Sequence, residues 1–385
     1  MSASAKSKKT KKVKNVRYVP YARGFKIPTK KDQVLALGLG VGNKLPIPKE
    51  YTDTTFSDVN PFTFFNNIQQ PTSIDDWLAQ YNEEGQTYSQ YLKQCPWLSP
   101  RKVKGMHDNF VSSAKTLSGK YPGSKIYIVP VGEFNEEDYI SFSNLLDYSK
   151  RFLCLPIATL PHFKLQQNGD KLYWVDEPST KTTVRSSPRT RLTELTSRFH
   201  TNTGNFQVQI SPLLTKLRQN IPRDAFCLIG LTRHDLYADE SDLFVAGMAA
   251  GNHGVAVFSL NRYDPSFSFS TEFWYQRYKV PGYTAEERRH LILQRSCKLV
   301  VHEICHILGL DHCIFFDCCM NGSGHLAEDF RQPMHLCPVD LRKLQTLCGF
   351  NTVKRYEQLL EFYKKFKMES ETDWVERRIA YLKQK

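Results

Sequence analysis

The sequence predicts an α+β protein in which helices cover a mixed β-sheet. Short apolar runs bounded by turn residues are typical of strands. Five such runs occur, at residues 125–132, 152–158, 225–231, 243–249 and 254–260. Helical patterns lie between and after these runs. The polar segment 165–203 is expected to be an insertion or rich in loops.

Two of the predicted helices rest on spacing and breaker residues. Residues 73–76 resemble a helix start, apolar residues follow at helical spacing to Leu92, and Pro96 is expected to end that helix. A second helix is expected around residues 213–217, where leucines recur.

The third helix has the clearest start. Thr284 and Glu287 fit a capping box, in which each side chain bonds the backbone of the other residue. Gly309 is expected to end this helix, because glycine accepts the left-handed conformation of a helix C-terminus. The last turns would carry His302 and His306.

Positive charge is concentrated at the start of the chain. The formal net charge is +13, yet residues 1–31 alone hold eleven Lys or Arg and no acidic residue. The rest of the chain is nearly neutral, so nucleic acid is not expected as a partner except through this basic segment. A solvated tail and a nuclear address are the alternative interpretations.

The apolar pattern and the ten cysteines indicate an intracellular protein. There is neither an apolar run long enough to span a membrane nor an N-terminal apolar segment typical of secretion. We therefore expect the cytoplasm, or alternatively the nucleus, and no membrane partner. Five cysteines crowd into residues 313–348, which in a reducing compartment favours metal binding over disulfides.

The strongest chemical signal lies at the end of the third helix. Residues four apart share a helix face, so His302 and His306 can bind one zinc ion. Gly309 lets the chain turn sharply, which allows His312 to return as a third ligand. Three protein ligands leave one position to water, as in catalytic zinc sites, and Glu303 can act as general base towards that zinc-activated water. The alternative is a set of core histidines on an apolar helix.

Together with the residues around it, this histidine motif resembles the archaemetzincins, a family of metzincin peptidases. The family pattern places a cysteine directly after the third histidine, then Cys-x4-Cys-x-Met and a later Cys-Pro-x-Cys. The matching residues here are Cys313, Cys318, Met320, Cys337 and Pro338. Residues 76–82 and 94–97 are similar to the animal members, and the resemblance covers about 70–365.

The resemblance implies a metzincin-like zincin fold, with a twisted mixed sheet, helices over an active-site helix and a smaller C-terminal subdomain. Met320 would form the Met-turn beneath the zinc. The expected organisation is a basic, poorly ordered tail and lead-in (1–70), a catalytic domain (71–365, divided near 312) and a C-terminal tail (366–385).

The resemblance also implies a second, structural zinc held by four cysteines. Cys313, Cys318 and Cys337 match three of them, but Asp340 stands where the fourth would be. Asp340 could bind zinc through oxygen, or it could be the carboxylate of a helix N-terminus. Cys319 or Cys348 could substitute, and loss of the second metal is a further alternative.

For metzincins, the resemblance implies that substrate pairs with an edge strand above the zinc, and Phe244–Ala249 is the candidate here. The alternative interpretation is that Gly247 and Gly251 mark an ordinary bulge or hairpin. The aromatic stretch 269–283 is expected to pack in the core rather than to form a substrate wall. His325 and His335 are expected at the surface.

Three functions remain open at this point. The first is a zinc metallopeptidase that hydrolyses peptide or protein substrates, with aminopeptidase activity as one option. The second is a catalytically silent zinc protein that uses its cleft to bind a partner. The third is a chromatin-associated protease that uses the basic tail to bind nucleic acid.

Overall fold

The computed structural model describes residues 24–39, 48–52, 63–106, 109–134, 140–176, 190–201, 203–250, 254–265 and 282–384. Most of the predicted basic tail, and all but the end of the aromatic stretch 269–283, lie outside these residues.

Strands and helices are mixed along the described chain, which confirms the predicted α+β class. The strands are β1 (Lys125–Val131), β2 (Ile157–Ala158), β3 (Leu165–Asn168), β4 (Lys171–Asp176), β5 (Arg191–Leu195), β6 (Ser197–His200), β7 (Asn205–Gln209), β8 (Ala225–Thr232), β9 (Asp235–Tyr237), β10 (Gly247–Ala250) and β11 (Val255–Ser259). The helices are α1 (Lys30–Ala36), α2 (Trp77–Gln80), α3 (Tyr88–Gln94), α4 (Leu117–Lys120), α5 (Phe142–Leu153), α6 (Ile210–Asn220), α7 (Ala285–Ile307), α8 (Leu326–Arg331), α9 (Pro338–Cys348), α10 (Thr352–Lys365) and α11 (Glu369–Lys383).

A five-stranded mixed sheet in the order β10-β11-β8-β1-β2 forms the centre of the fold. β1, β2, β8 and β11 run parallel, whereas β10 pairs antiparallel with β11 at the edge. Every residue of β8 is buried, as expected of a strand with parallel neighbours on both sides.

The two faces of this sheet belong to different apolar clusters. Successive side chains of a strand point to opposite faces, and in β1 Ile126 and Ile128 join one cluster while Tyr127 and Val129 join the other. The larger cluster includes residues of α5, α7 and the C-terminal helices, and the smaller one includes residues of α6. The zinc-binding motif therefore lies on the side of the larger core.

Several predicted elements were wrong in extent. The predicted strand 152–158 is reduced to β2, because Phe152 and Leu153 complete α5 and Cys154 ends that helix in the left-handed conformation, with φ of 52°. The strand predicted at 243–249 becomes regular only at Gly247, after an isolated bridge at Val245.

The described part of 165–203 is not loop-rich, contrary to expectation. β3, β4 and β5 form an antiparallel sheet, and β6 begins a second small sheet with β7 and β9. Leu192 in β5 and Phe199 in β6 are apolar but exposed, and β3 contains three consecutive exposed polar residues, so these strands lack a regular alternation of apolar and polar residues.

The helix predicted from residue 73 to Pro96 is in fact two short helices, α2 and α3. The chain is extended at Tyr81, the C-cap of α2, and Gly85 has a φ of +68°. Thr87 and Gln90 then form a new capping box that starts α3. Glu83 and Gln86 lie between the two helices and contact the loop that contains Gly309 and His312.

Residues at both ends that were expected to be tails contain packed helices. In α1, Gln33 and Ala36 are buried. In α11, Val375 and Arg378 are buried, and the Arg378 guanidinium donates to the backbone oxygens of residues 49, 50 and 52. Among the described helices, none combines the length and the apolar character needed to cross a bilayer.

Candidate metal centres

The three motif histidines lie at the end of α7 and in the loop that follows it. The capping box of Thr284 and Glu287 starts this helix as predicted, and Ile307 is its last residue. Gly309 turns the chain with a φ of +89°, and a Cβ there would lie 3.2 Å from the Cys95 sulfur. Both the conformation and the close contact favour glycine.

The side chains of His302, His306 and His312 converge. One nitrogen from each ring lies within 4.8 Å of the others, and the Nε2 atoms of His302 and His306 are 3.0 Å apart. Nitrogens that bind one tetrahedral zinc at about 2.0–2.1 Å are separated by roughly 3.3 Å. The donor set and its spacing therefore fit a zinc ion.

Oxygen acceptors face the other nitrogen of each ring. His302 Nδ1 lies 2.7 Å from the carbonyl oxygen of Cys319, and His306 Nδ1 lies 2.7 Å from that of Leu310. His312 Nδ1 lies 3.1 Å from Glu83 Oε1. These acceptors select the tautomer in which Nδ1 carries the hydrogen and Nε2 is free to bind metal.

Burial keeps two of the imidazoles neutral. It lowers the pKa of His302 well below the usual value, with His306 and His312 as secondary causes. Burial, followed by His312, lowers the pKa of His306 to about 4. Neutral imidazole is the form that binds a metal.

Glu303 is half-buried beside the first histidine. Burial raises the pKa of its carboxyl to about 8, and the nearby Asp329 carboxylate contributes to the same shift. A group with a pKa near neutrality is suited both to accept and to return a proton.

A second cluster comprises Cys313, Cys318, Cys337 and Asp340, all of which are buried. The sulfurs of Cys313 and Cys337 are 3.6 Å apart. Asp340 Oδ2 lies 3.4 Å from the Cys318 sulfur and 3.3 Å from the Cys337 sulfur. Around one zinc ion, sulfurs at about 2.3 Å are separated by roughly 3.8 Å, so this cluster also fits a zinc ion.

The backbone provides hydrogen bonds that stabilise sulfur ligands. The amides of Met320 and Cys337 donate to the Cys318 sulfur at 3.4 and 3.1 Å. Burial raises the pKa of both the Cys318 and Cys337 thiols, because a thiolate loses its hydration when it is buried.

The position of Asp340 fits both of the roles considered for it. It lies in the first turn of α9, after the N-cap residue Cys337, and its oxygen also lies among the sulfurs. The buried Lys343 ammonium donates to Asp340 Oδ1 at 2.8 Å. Burial raises the pKa of Asp340 to about 6, against the opposing effect of Lys343. Cys319 and Cys348, the alternative ligands, are not members of this cluster.

Met320 is fully buried at the turn between the two sites. Its backbone oxygen accepts from the Cys313 amide at 2.8 Å, and the preceding Cys319 carbonyl faces His302. Its position beneath a zinc ion remains an expectation.

The predicted surface location of two other histidines was wrong. His325 Nε2 lies 3.0 Å from Asp76 Oδ1, and its ring is mostly buried. His335 stacks on Trp374 with ring centroids 4.0 Å apart. No local sequence pattern predicts the contact of His325 with Asp76 or that of His335 with Trp374.

Asp76, His325 and Glu328 form a third acidic and histidine group. The carboxylates of this group accept hydrogen bonds from the backbone. Asp76 accepts from the amides of Thr72 and Ser73, and Glu328 accepts from the amides of Trp77 and Gly324. These bonds hold the chain around α2 against α8, so a structural role accounts for this group.

The predicted substrate strand lies at the edge of the main sheet. β10 pairs only with β11 within the described chain, and Met248 is 41% exposed. A Cβ on Gly247 would lie 2.5 Å from the Val257 carbonyl oxygen, so this glycine allows close pairing with β11. Among the described residues, no strand pairs with the other side of β10, so this side is a candidate edge for a bound peptide.

Comparison with known proteins assigns the chain to a class and then to a family. Residues 192–346, which contain both candidate zinc sites, match the model of peptidase family M54. Archaemetzincin-2 of Rattus norvegicus is 32% identical over 317 residues, covering 77% of this chain and 75% of that protein. Archaemetzincin-2 of Mus musculus is 40% identical over 185 residues, covering 44% of this chain and 50% of that protein.

A solved archaemetzincin from Archaeoglobus fulgidus is 21% identical and covers 57% of this chain and 99% of its own, with a TM-score of 0.34. That score is too low to support an argument about structure. The relatives and the family match nevertheless identify the class as zinc metallopeptidase. Within that class, the chain belongs to the archaemetzincin family, which confirms the predicted family and its zinc cofactor.

Proposed function

We propose that this protein is a zinc-dependent metallopeptidase whose active site is formed by His302, His306, His312 and Glu303. The observation that supports this most directly is the convergence of three imidazoles, each with an oxygen acceptor at Nδ1. A carboxyl with a raised pKa lies beside them. A protein that only bound a partner would not need this carboxyl.

The chain's own residues define the chemistry. When bound, zinc would polarise the scissile carbonyl and make a coordinated water more acidic. Glu303 accepts a proton from the attacking water and later delivers it to the leaving nitrogen, so its carboxyl returns to its initial state. His302 and His306 stay neutral because burial disfavours their protonated forms.

The substrate in this proposal is an extended peptide that pairs with β10. The free edge of this strand supplies backbone donors and acceptors without selecting particular side chains. A preference for aminopeptidase or endopeptidase cleavage follows from where the peptide ends relative to the zinc, and the cleavage products distinguish the two.

A second zinc in this proposal has a structural role. Cys313, Cys318, Cys337 and Asp340 complete four ligands and leave no open position. The metzincin-like division of the catalytic domain near residue 312 would place this closed site at the start of the lower subdomain.

The test is hydrolysis of an unbiased peptide mixture by the full chain, with and without a chelator, compared with Glu303→Ala. We expect loss of the general base to reduce the rate by about 10²–10⁴ while zinc content is retained. Glu286→Ala, which removes an exposed carboxyl of the same residue type from the first turn of α7, serves as a control. Hydrolysis by Glu303→Ala at the wild-type rate would contradict the mechanism.

A further inference from the structure

The end of the zinc-binding helix is held by a segment far upstream in the sequence, residues 83–97, which we call the clamp segment. A helix ends with carbonyl groups that have no partner within the helix. Trp97 Nε1 donates to the carbonyl of Ile307 at 2.9 Å, and the Tyr91 hydroxyl donates to that of Leu308 at 3.3 Å. The clamp segment thus satisfies the helix end from which the chain returns to His312.

The same segment also contacts the loop between the second and third histidines. Gln86 Nε2 donates to the carbonyl of Gly309 at 3.2 Å, and its Oε1 lies 3.4 Å from the Asp311 amide. One side chain therefore holds both sides of the turn that precedes His312.

Glu83, at the start of the clamp segment, contacts His312 itself. Its Oε1 lies 3.1 Å from His312 Nδ1 and accepts a hydrogen bond from Trp77 Nε1 at 3.2 Å. The Trp77 ring packs edge-on against the His312 ring, with centroids 5.3 Å apart. The indole therefore fixes both the carboxylate and the imidazole.

This arrangement differs from that of the other two histidines. His302 and His306 are oriented by backbone carbonyls at 2.7 Å, whereas His312 is oriented by a carboxylate side chain. Glu83 also lies outside residues 192–346, the part that matches the peptidase family model.

We propose that Glu83 is a positioning residue for the catalytic zinc and sets how tightly His312 binds it. This inference rests on the proposed function, because it assumes that the three histidines share one zinc ion. By accepting the Nδ1 hydrogen, the carboxylate directs Nε2 towards the metal and makes the imidazole a stronger ligand. The clamp segment is then part of the active site although it supplies no ligand.

A simple surface ion pair is the competing explanation. The His312 and Glu83 side chains are 32% and 29% exposed, and exposed ion pairs contribute little to stability. The two explanations differ in what they predict for the metal. An ion pair leaves zinc affinity unchanged, whereas a positioning carboxylate alters it.

The experiment measures zinc affinity of the full chain by competition with a chelator, for wild type, Glu83→Ala, Glu83→Gln and the control Glu84→Ala. Glu84 is the exposed neighbour of the same residue type. We expect Glu83→Ala to weaken the histidine site by about 10–100-fold. We expect Glu83→Gln, which keeps an acceptor oxygen, to weaken it less, and Glu84→Ala to match wild type.

The cysteine cluster provides an internal reference in the same molecule. Its affinity should not change in Glu83→Ala, which excludes general unfolding as the cause. Substitution with cobalt gives a second readout, because a changed visible spectrum at the histidine site reports altered ligand geometry. Equal zinc affinity and equal cobalt spectra in wild type and Glu83→Ala would overturn the inference.

A further variant separates this inference from the proposed function. His312→Ala should remove one zinc per chain if the three histidines bind zinc. If His312→Ala keeps all its metal, the proposed zinc site fails. If His312→Ala loses one zinc and Glu83→Ala binds as wild type does, only the role of Glu83 fails.

Discussion

His335 shows how a single partly buried residue can make stability depend on pH. Burial, with Arg378 as a second cause, lowers the pKa of His335 to about 3. Its ring stacks on Trp374 and contacts Phe65 edge-on. An imidazole in this position resists protonation until the chain unfolds.

The sign of the effect follows from proton binding. Between pH of about 6.5 and 3, the unfolded chain binds a proton at His335 that the folded chain does not, so acid favours unfolding. We expect His335→Phe, which keeps an aromatic ring, to lose less stability on acidification, by up to about 1.4 kcal/mol per pH unit. Urea unfolding of both proteins from pH 7 to 4 measures this difference.

Effects of acid on the zinc ligands are common to both proteins and cancel in the comparison. His162→Phe, at an exposed histidine, is the control and should follow the wild-type profile. Parallel profiles for wild type and His335→Phe would show that His335 does not carry this pH dependence.

Asp340 is the residue on which the proposed second zinc site depends. Its carboxylate would complete the ligand set with Cys313, Cys318 and Cys337, and the Lys343 ammonium would offset part of the negative charge of that set. We expect wild type to hold two zinc ions per chain and Asp340→Asn to hold one, because a neutral amide binds zinc more weakly than a carboxylate.

Asp340→Cys is the matched variant, since it restores the cysteine expected from the family pattern. It should retain two zinc ions per chain and release the second one more slowly to a chelator. Metal analysis of the three purified proteins measures the count. One zinc in wild type, or two in Asp340→Asn, would contradict the ligand assignment.

At the scale of elements, α11 packs against the large core although seven of its fifteen residues are charged. Trp374 donates through Nε1 to the Phe64 carbonyl at 3.0 Å and packs on Phe64, Phe65 and His335. Because His335 lies two residues before Cys337, the helix supports the chain segment that contains part of the proposed second zinc site.

We expect Trp374→Ala to lower the free energy of unfolding by about 3 kcal/mol, since it removes a large aromatic contact from the core edge. Trp374→Phe should lose less, because the ring contacts remain while the hydrogen bond to Phe64 is lost. Urea denaturation measures both. An effect below about 1 kcal/mol for Trp374→Ala would indicate that α11 is only loosely attached.

At the scale of the whole molecule, both candidate zinc sites are built on one core that joins distant parts of the chain. The apolar cluster that contains the end of α7 also contains Trp77 and Trp97 from upstream and Tyr356 from downstream. A substitution of Trp77, Trp97 or Tyr356 can therefore shift the candidate metal ligands through packing contacts.

Local spacing in the sequence is sufficient to predict the candidate catalytic metal site. The spacing of His302, Glu303, His306 and His312 predicted a catalytic zinc motif, because helical periodicity alone brings the first two histidines together. The capping box at Thr284 likewise predicted the start of the helix correctly, since both of its bonds are local.

The residues that surround the histidine motif come together only when the chain folds. Glu83 and His312 are far apart in sequence, and no local pattern relates them. The strands within 165–203 and the packing of α11 depend on partners from other parts of the chain, so local patterns do not predict them. The break between α2 and α3 does have a local signal, the capping box of Thr87 and Gln90. Local spacing fixes which residues can bind a metal, whereas the orientation of those residues depends on long-range contacts.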